Sequence, residues 1–404
     1  MENVDGRKLK IIVPGVKAVI KKYTVVYAKS AEILNLDVNL YCAIINHNYY
    51  GSLKATCQFQ LCYLSIKLLI YKYKLMEQIR IGYACINTEL RNWNIFTSRT
   101  AILDTIEKKG IGYVKQLALD NIDDLLKILI YNEAHGIRFF RISSCIFPHL
   151  GNPKLVDEGH YDLDFAKDKL KIIGKFAKDH NHRLTMHPGQ FVQLGSPNPE
   201  VVKQSFTDLK NHVVLLKMLG FSPSDGSVLI IHGGGVFGDK ISTLQRWKNN
   251  FLNLPSETRD YIVLENDETS YGIMDLLPLC EELKIPFCLD IFHNKISNNR
   301  IPITKKLVRR IFNTWFVRGI VPKIHISEQQ IGLRKGAHSK TIDKLPLYIF
   351  KLPYMFKTQL DIMLEVKDKE VSVFKIYYKY FDIRMDINGK VVYVLKTKFW
   401  RHFL

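Results

Sequence analysis

Five short apolar runs recur between residues 183 and 328, and each one closes on or beside an ionisable residue. They read RLTMHP (183–188), VLIIHG (228–233), IVLEND (262–267), PFCLDIF (286–292) and KIHISE (323–328). Three runs of the same kind flank them, RIGYAC (80–85), IRFFRISS (137–144) and DIMLEV (361–366). Short runs rich in β-branched and aromatic residues are typical of buried strands. The sequence therefore predicts eight strands.

Segments with helical spacing of apolar residues separate these strands. They cover residues 121–135, 165–180, 199–220, 272–283, 304–316 and 343–356. Strands that alternate with helices form a parallel sheet, and eight such units close into a (β/α)8 barrel, the TIM barrel. The alternative is an open doubly wound sheet, which usually has a glycine-rich first turn, and IGYACIN (81–87) has no such motif. We therefore expect an α/β protein with a TIM barrel over residues 78–366.

The two ends of the chain are expected to lie outside the barrel. Residues 1–77 form a basic N-terminal extension of unknown role, with 11 Lys and Arg against 5 Asp and Glu. Residues 367–404 form a basic C-terminal extension. In it, KIYYKYFDIRM (375–385) and KVVYVLKTKF (390–399) flank Asn388-Gly389, a pair typical of tight turns. This pattern predicts a short C-terminal tail folded as a β-hairpin.

The composition points to an intracellular protein with a polyanionic partner. The net charge is +19, which a Lys-rich surface explains in part but which also favours binding to nucleic acid. Seven cysteines form no C-x-x-C pair, which argues for a reducing compartment and against a cysteine-rich zinc site. The polar start and the short apolar window 59–71 are unlike a secretory signal or a membrane span. We expect a soluble, monomeric protein with no membrane partner. The abundance of Lys, Asn, Ile and Tyr is typical of an AT-rich genome, such as that of a virus acting in a host cell.

Ionisable residues close six successive strands. They are His187, His232, Glu265, Asp290, His325 and Glu365. In a TIM barrel the carboxyl ends of the strands converge on one face, and three imidazoles with three carboxylates fit a cluster of divalent metal ions. Any one of these residues alone would more often be a structural histidine or a helix cap, but their shared position favours a metal site. His293 and His338, in the loops that follow, can reach the same face.

The loop MHPGQFVQLGSPNPE (186–200) presents a polar and an aromatic side chain, Gln190 and Phe191, just after His187. A flat side chain can enter a base stack, as apolar wedges do in some DNA-binding proteins. The alternative is an aromatic ring that packs on its own barrel.

These runs resemble the UV-damage endonuclease family. The segments IGYACIN, FRISSCIFPH, MHPGQFVQLGSPNPEVV, IIHGGGVFGDK, VLEND, CLDIFHN and KIHISEQ match in order from about Ile81 to Glu365. The resemblance implies a DNA-repair enzyme on a barrel related to endonuclease IV, acting on damaged double-stranded DNA. It implies up to three divalent metal ions, usually Mn²⁺, with Zn²⁺, Co²⁺ and Mg²⁺ as alternatives. It further implies hydrolysis immediately 5′ of cyclobutane dimers, 6-4 photoproducts and also abasic sites, leaving a 3′-hydroxyl and a 5′-phosphate.

The resemblance also assigns roles to particular residues. The metal ligands it implies are His187, His232, Glu265, Asp290, His293, His325, His338 and Glu365. Glu265, His232 and Lys323 are implied to be catalytic, and Lys323 matches a lysine that can be carboxylated. Tyr83, Gln190 and Phe191 match residues near the lesion, although the family often has Tyr at the position of Phe191.

The chain departs from the family pattern after strand two. Where we expect Ser-His after Phe147-Pro148, it has His149 and then Asn152. Either His149 substitutes from a shifted position, or the role of that histidine is lost.

Three other functions remain as alternatives. An abasic-site endonuclease of the endonuclease IV type would share nearly all the ligands, and the Gln190–Phe191 pair favours the UV enzyme over it. A metal-dependent sugar isomerase on the same barrel would need few basic residues. An inactive DNA-binding protein is disfavoured by the intact series of ligands.

Overall fold

A closed barrel of eight parallel strands forms the centre of the protein. The computed structural model describes residues 79–156, 161–386 and 388–400. The strands follow one another around the ring in chain order, and β1 pairs with both β2 and β8. They are β1 (Ile79–Ala84), β2 (Phe139–Ile142), β3 (Arg183–Met186), β4 (Leu229–His232), β5 (Ile262–Glu265), β6 (Phe287–Asp290), β7 (Lys323–Ile326) and β8 (Leu360–Leu364). The predicted TIM barrel and its eight strands are confirmed.

Helices connect the strands and cover the outside of the barrel. They are α1 (Thr88–Arg91), α2 (Leu103–Lys109), α3 (Ile111–Ala134), α4 (Pro153–Val156), α5 (Lys167–Asp179), α6 (Pro199–Met218), α7 (Lys240–Asn253), α8 (Ser256–Arg259), α9 (Ile273–Leu283), α10 (Ile291–Ile296), α11 (Lys305–Phe316), α12 (Leu352–Phe356), α13 (Glu370–Tyr380) and α14 (Thr397–Trp400). Short 3₁₀ turns span Asp164–Ala166, Pro223–Asp225 and Leu347–Lys351.

The helices differ from the sequence-based expectation in several places. α3 begins at Ile111 rather than near residue 121, because Val114 and Ala118 continue its buried face. The segment 343–356 holds only a 3₁₀ turn and the short α12, which has Pro353 in its first turn. α7 was not predicted, since its composition is largely polar and only Thr243, Trp247 and Phe251 are buried.

A buried ion-pair cluster closes the end of the barrel interior opposite the predicted active face. The Asp361 carboxylate accepts hydrogen bonds from Arg80 Nε at 2.7 Å and from Arg183 Nη1 at 2.6 Å. The side chains of Asp361 and Arg183 are fully buried. Burial alone would raise the pKa of Asp361, but the two guanidinium groups hold it below its usual value. The cluster links β1, β3 and β8 through charged side chains.

The segment after β8 begins with a helix and ends with the predicted hairpin. α13 packs on β1 through the Tyr377 hydroxyl, which lies 3.3 Å from both the amide nitrogen and the carbonyl oxygen of Ile81. β9 (Phe381–Met385) and β10 (Val391–Leu395) form a two-stranded sheet, and Gly389 adopts a positive φ of 73° in the turn between them. The hairpin is confirmed, but its predicted first arm is wrong over residues 375–380. These residues are helical because Val373, Ile376, Tyr377 and Tyr380 form one buried helical face.

Several expectations concern residues that the structure does not describe. The basic N-terminal extension 1–77, with its apolar window 59–71, lies outside the described residues, as do 157–160, 387 and 401–404. None of the helices within the described ranges combines the length and the apolarity that a membrane span needs.

Candidate metal centre

The six predicted strand-end ligands meet at one mouth of the barrel. They form two groups, His187–His232–Glu265 and Glu265–Asp290–His325–Glu365, and within each group the candidate ligand atoms lie within 4.8 Å of one another. Each side chain stands at or just after the carboxyl end of its strand. The parallel barrel therefore brings together residues that are far apart in sequence, as the sequence predicts.

Glu265 belongs to both groups because its two carboxylate oxygens face different histidines. Oε2 lies 3.1 Å from His187 Nε2 and 3.9 Å from His232 Nε2. Oε1 lies 2.6 Å from His325 Nδ1 and 3.9 Å from His293 Nδ1. The Glu265 side chain is fully buried, so its carboxylate is held between the two groups.

Asp290 and Glu365 complete the second group, and two further histidines lie beside it. Asp290 caps α10, since its Oδ1 accepts a hydrogen bond from the backbone nitrogen of His293 at 2.6 Å. Glu365 Oε1 lies 3.2 Å from His325 Nδ1, and Glu365 Oε2 lies 3.8 Å from His338 Nδ1. His293 and His338 thus stand beside the two groups without belonging to either of them.

The donor atoms of this mouth fit a divalent metal ion. His232 Nδ1, Asp290 Oδ2 and His325 Nε2 are buried and have no hydrogen-bond partner among the described residues. Buried polar atoms in folded proteins nearly always have a partner, and neutral imidazole and carboxylate are ligands for Zn²⁺, Mn²⁺ and Fe²⁺. The two groups therefore have both the chemistry and the unused atoms that bound ions require.

The carboxylates and histidines of the mouth shift one another's protonation. Burial raises the pKa of Asp290 well above its usual value, and the charges of Glu265 and Glu365 raise it further. Burial would lower the pKa of His293, but Asp290 and the two glutamates raise it to about 9. Shifts in these directions are expected where acidic side chains lie close together in a buried site, and such a site favours a nearby cation.

Lys323 lies in the barrel interior, two residues before His325 on β7 and in register with Asp361 of β8. Its side chain is fully buried, and its Nζ has no hydrogen-bond partner among the described residues. The ammonium stands 5.6 Å from the centroid of the Phe139 ring. Burial lowers the pKa of Lys323 to about 8. An ordinary strand-end lysine at the surface would show none of these features.

The loop after β3 presents Gln190 and Phe191 to solvent. Phe191 is 80 % exposed, which excludes the alternative of an aromatic ring packed on the barrel. The loop is held from below by Gln193, whose Nε2 donates to the Gln190 carbonyl at 2.7 Å and whose Oε1 accepts from Gly235 N at 2.8 Å. The exposed pair therefore stands on a fixed base.

Tyr83 and His149 lie apart from the metal-ligand groups. The Tyr83 ring is fully buried, and its hydroxyl donates to Asn132 Oδ1 at 2.6 Å and accepts from Asn87 Nδ2 at 3.0 Å. His149 has a positive φ of 59°, and its Nε2 lies 2.7 Å from the Ala101 carbonyl oxygen. Asn152 Nδ2 lies 3.3 Å from His149 Nδ1. Both ring nitrogens of His149 are thus engaged within the loops that carry it.

Comparison with known proteins assigns the chain to a family. Residues 79–393 match the sequence profile of a family described as UV-endonuclease UvdE. The chain belongs to the UvdE family. The match includes all six candidate ligands at the strand ends and extends from β1 into β10.

Individual relatives agree with this assignment. The chain is 63 % identical over 321 residues to a protein of Acanthamoeba polyphaga mimivirus assigned as a UV-damage endonuclease, covering 80 % of this chain and 97 % of that one. It is 39 % identical to the UV-damage endonuclease of Schizosaccharomyces pombe, covering 74 % of this chain but only 50 % of the yeast protein. The chain thus spans about half the length of this fungal relative. The crystal structure of SacUVDE superposes with a TM-score of 0.64 at 33 % identity, covering 74 % of this chain and 96 % of that one.

Two residues that support this UvdE-family site were not singled out in the sequence. Arg141 follows β2's apolar start and forms an ion pair with Glu365. Burial would lower the pKa of Arg141, but the charge of Glu365 raises it. Gln193 bridges the loops after β3 and β4, and a Cβ on Gly234 would lie only 2.5 Å from its Oε1. Arg141 could have been found from the sequence, because it is a charged residue inside an otherwise apolar strand. No sequence signal points to Gln193.

Proposed function

We propose that this UvdE-family protein is a divalent-metal-dependent endonuclease that cuts damaged double-stranded DNA immediately 5′ of a UV photoproduct. The observation that carries the proposal is the pair of ligand groups that share Glu265 at the mouth of the barrel. The lesions we assign are cyclobutane dimers and 6-4 photoproducts, with abasic sites as further substrates. The products are a 3′-hydroxyl and a 5′-phosphate.

The residues that would hold the ions are the two groups and the two histidines beside them. Together these eight side chains have enough donor atoms for up to three ions. They are His187, His232, Glu265, Asp290, His293, His325, His338 and Glu365. A site of imidazole nitrogens and carboxylate oxygens, without thiolates, suits Mn²⁺. When bound, divalent ions neutralise charge on the phosphodiester and make hydroxide available near neutral pH.

Within this site the protein's own groups fix the ligands. The Glu265 oxygens hold the rings of His187 and His325 at hydrogen-bond distance, and the Arg141 ion pair holds Glu365. The His232 side chain is one-third exposed, so it is the ligand of the first group most open to a DNA phosphate. Fixed ligands reduce the reorganisation that the reaction needs.

Lys323 is proposed to become carboxylated. After the buried, unpartnered Nζ loses its ammonium proton, the neutral amine would attack the carbon of carbon dioxide. A C–N bond forms, one C=O π bond becomes a C–O single bond that carries the negative charge, and the nitrogen loses a second proton. The product is a carbamate, so the change would replace a buried cation by an anion in the barrel interior and release two protons in all.

The DNA is held without sequence-specific contacts in this proposal. A net charge of +19 suits contacts to the phosphate backbone, which position the duplex but do not read bases. Gln190 and Phe191 enter the stack at the lesion, where damage makes unstacking easier. Because Tyr83 is buried with its hydroxyl engaged, we assign it to positioning Asn87, the N-cap of α1, rather than to direct contact with the lesion.

A defined duplex with a single thymine dimer tests the proposal. The protein is incubated with this duplex and Mn²⁺, and the cut is mapped to the nucleotide. We expect one cut directly 5′ of the dimer, a 3′ end that a polymerase extends and a 5′ end that a ligase joins. Undamaged duplex and addition of EDTA serve as controls. Absence of cutting with Mn²⁺, Zn²⁺, Co²⁺ and Mg²⁺ contradicts the proposal, and cutting only at an abasic site would assign the endonuclease IV type of activity.

A further inference from the structure

The loop after β7 ends in an apolar tip. Ile331 is 92 % exposed and Leu333 is 54 % exposed. Two exposed residues with positive charge, Arg334 and Lys335, follow directly. Single apolar residues at a surface need no explanation, but a pair at the tip of one loop indicates a binding surface.

The tip is held in one conformation by the loop itself. Gln329 Nε2 donates to the Arg334 carbonyl at 2.9 Å, and Gln329 Oε1 accepts from Gly336 N at 2.9 Å. Gln329 also forms an antiparallel β-bridge with His338 at the base of the loop. A tip whose backbone is already fixed loses little conformational entropy when it binds.

The base of this loop lies beside the candidate metal ligands, across the mouth from the loop that carries Phe191. Its base carries His338, whose Nδ1 lies 3.8 Å from Glu365 Oε2. In the closed ring β3 and β7 are four strands apart among eight, so the loops that follow them lie across the mouth from each other. Two exposed apolar tips therefore flank the metal centre from opposite sides.

We propose that the Ile331–Leu333 tip is a second wedge that enters the base stack of duplex DNA, across the metal centre from Phe191. The inference rests on the function proposed above. Apolar side chains that enter a base step unstack it and bend the duplex. We assign the phosphate contact beside the opened step to Arg334, whose charge matches DNA, because the Lys335 ammonium already donates to Asn298 Oδ1 at 2.9 Å.

Two wedges have a consequence that one lacks. A single wedge can open one base step, whereas two wedges on opposite sides of the centre hold the nucleotides between them out of the stack together. A photoproduct joins two neighbouring bases, so the whole lesion must leave the stack as one unit. The loop after β7 supplies the second support for that opening.

The test compares Ile331→Ser/Leu333→Ser with wild type and with Ile172→Ser. Ile172 is 61 % exposed on α5, on the outside of the barrel, and provides the same chemical change away from the mouth. The affinity of the metal-loaded protein is measured for two DNA duplexes, each with one thymine dimer and an uncleavable phosphonate at the linkage that would be cut. One duplex is fully paired; in the other the dimer lies in an unpaired bubble. A 2-aminopurine beside the dimer reports unstacking by its fluorescence.

We expect the double variant to bind the paired duplex about tenfold more weakly, which corresponds to about 1.4 kcal/mol, with a smaller fluorescence increase. On the bubble, where unstacking is already complete, we expect affinity within about twofold of wild type. Ile172→Ser behaves as wild type on both duplexes.

Three outcomes overturn the inference. Equal affinity of wild type and double variant for the paired duplex removes the wedge. An equal loss on paired and bubble duplexes assigns the loop to the metal centre instead. If the wild-type protein forms a dimer of two protein chains in solution and the double variant is a monomer, the tip is assigned to self-association. If wild type fails to cut a cleavable dimer duplex, the proposed function fails; if wild type cuts and the variant binds and cuts equally well, only the wedge fails.

Discussion

Replacing Glu265 by Gln is the sharpest single perturbation of the proposed metal centre. The substitution keeps the size of a side chain that is fully buried, so it leaves no cavity. It removes one negative charge and places an amide where an oxygen now lies 3.1 Å from His187 Nε2 or 2.6 Å from His325 Nδ1. The change therefore acts on ligand chemistry and little on packing.

The magnitude follows from the position of Glu265 in both ligand groups. It supplies one of three residues to the first group and one of four to the second, whereas Asp290 belongs to the second group alone. Glu265→Gln should therefore lose bound ions from both groups, and Asp290→Asn should lose them from one. We expect the single-turnover nicking rate of Glu265→Gln to fall at least about a thousandfold, equivalent to about 4 kcal/mol in the barrier.

Two assays separate this effect from a general defect. Metal content per protein is measured by mass spectrometry after gel filtration, and nicking is measured on a duplex with one thymine dimer. Affinity for the uncleavable duplex with a thymine dimer should stay within about threefold of wild type, because we assign most of that affinity to basic residues outside this site that contact the DNA phosphates. Glu282→Gln, a surface glutamate paired with Lys248, should keep both rate and metal. A Glu265→Gln enzyme that cuts within tenfold of wild type would refute the metal assignment.

Three further predictions concern the loop that carries Gln190 and Phe191 and the stability of the barrel. Gln190→Ala with Phe191→Ala should reduce the ratio of affinities for irradiated and undamaged duplex about tenfold, since a stacking side chain contributes about 1–3 kcal/mol; an unchanged ratio in a competition assay returns the pair to a surface role. Asp361→Asn should lower the free energy of unfolding in urea by about 3–5 kcal/mol, because it leaves a fully buried guanidinium unpaired. The control Asp260→Asn, at an exposed ion pair, should lower that free energy by about 1 kcal/mol or less. Similar losses for both variants contradict the argument. Burial would raise the pKa of Glu133, but hydrogen bonds from a histidine and an arginine lower it to about 2. Its stabilising effect is therefore present above pH 4.5, where it is worth about 3 kcal/mol, so the difference in unfolding free energy between wild type and Glu133→Gln should shrink as the pH falls from 4.5 towards 2; a constant difference excludes this carboxylate as the cause.

The strands and the meeting of the candidate metal ligands were predictable because both follow from short local patterns in the sequence. A buried parallel strand shows itself as a brief apolar run, and its carboxyl end is one residue position. His232, Glu265 and Asp290 each close such a run, so the topology alone places them together. Nothing beyond strand order was needed to predict their meeting.

The elements that differed depend on tertiary contacts that no local pattern encodes. Residues 375–380 read as a strand from their β-rich composition, yet the burial of Ile376, Tyr377 and Tyr380 against the barrel makes them helical. Long-range packing outweighs the local preference in this segment.

The charged cluster at the closed end of the barrel and the candidate metal centre at its mouth depend on the same strand register. Asp361 is paired in register with Arg80 on β1 and with Lys323 on β7, and Glu365 lies four residues further along on the same face of β8. A slip of one residue would turn every inward side chain of a strand outward. The ion pairs of Asp361 oppose such a slip, because any other register would leave Arg183 buried without its partner. Buried charge that fixes the register of β8 at one end of the barrel therefore also determines where Glu365 lies at the other end.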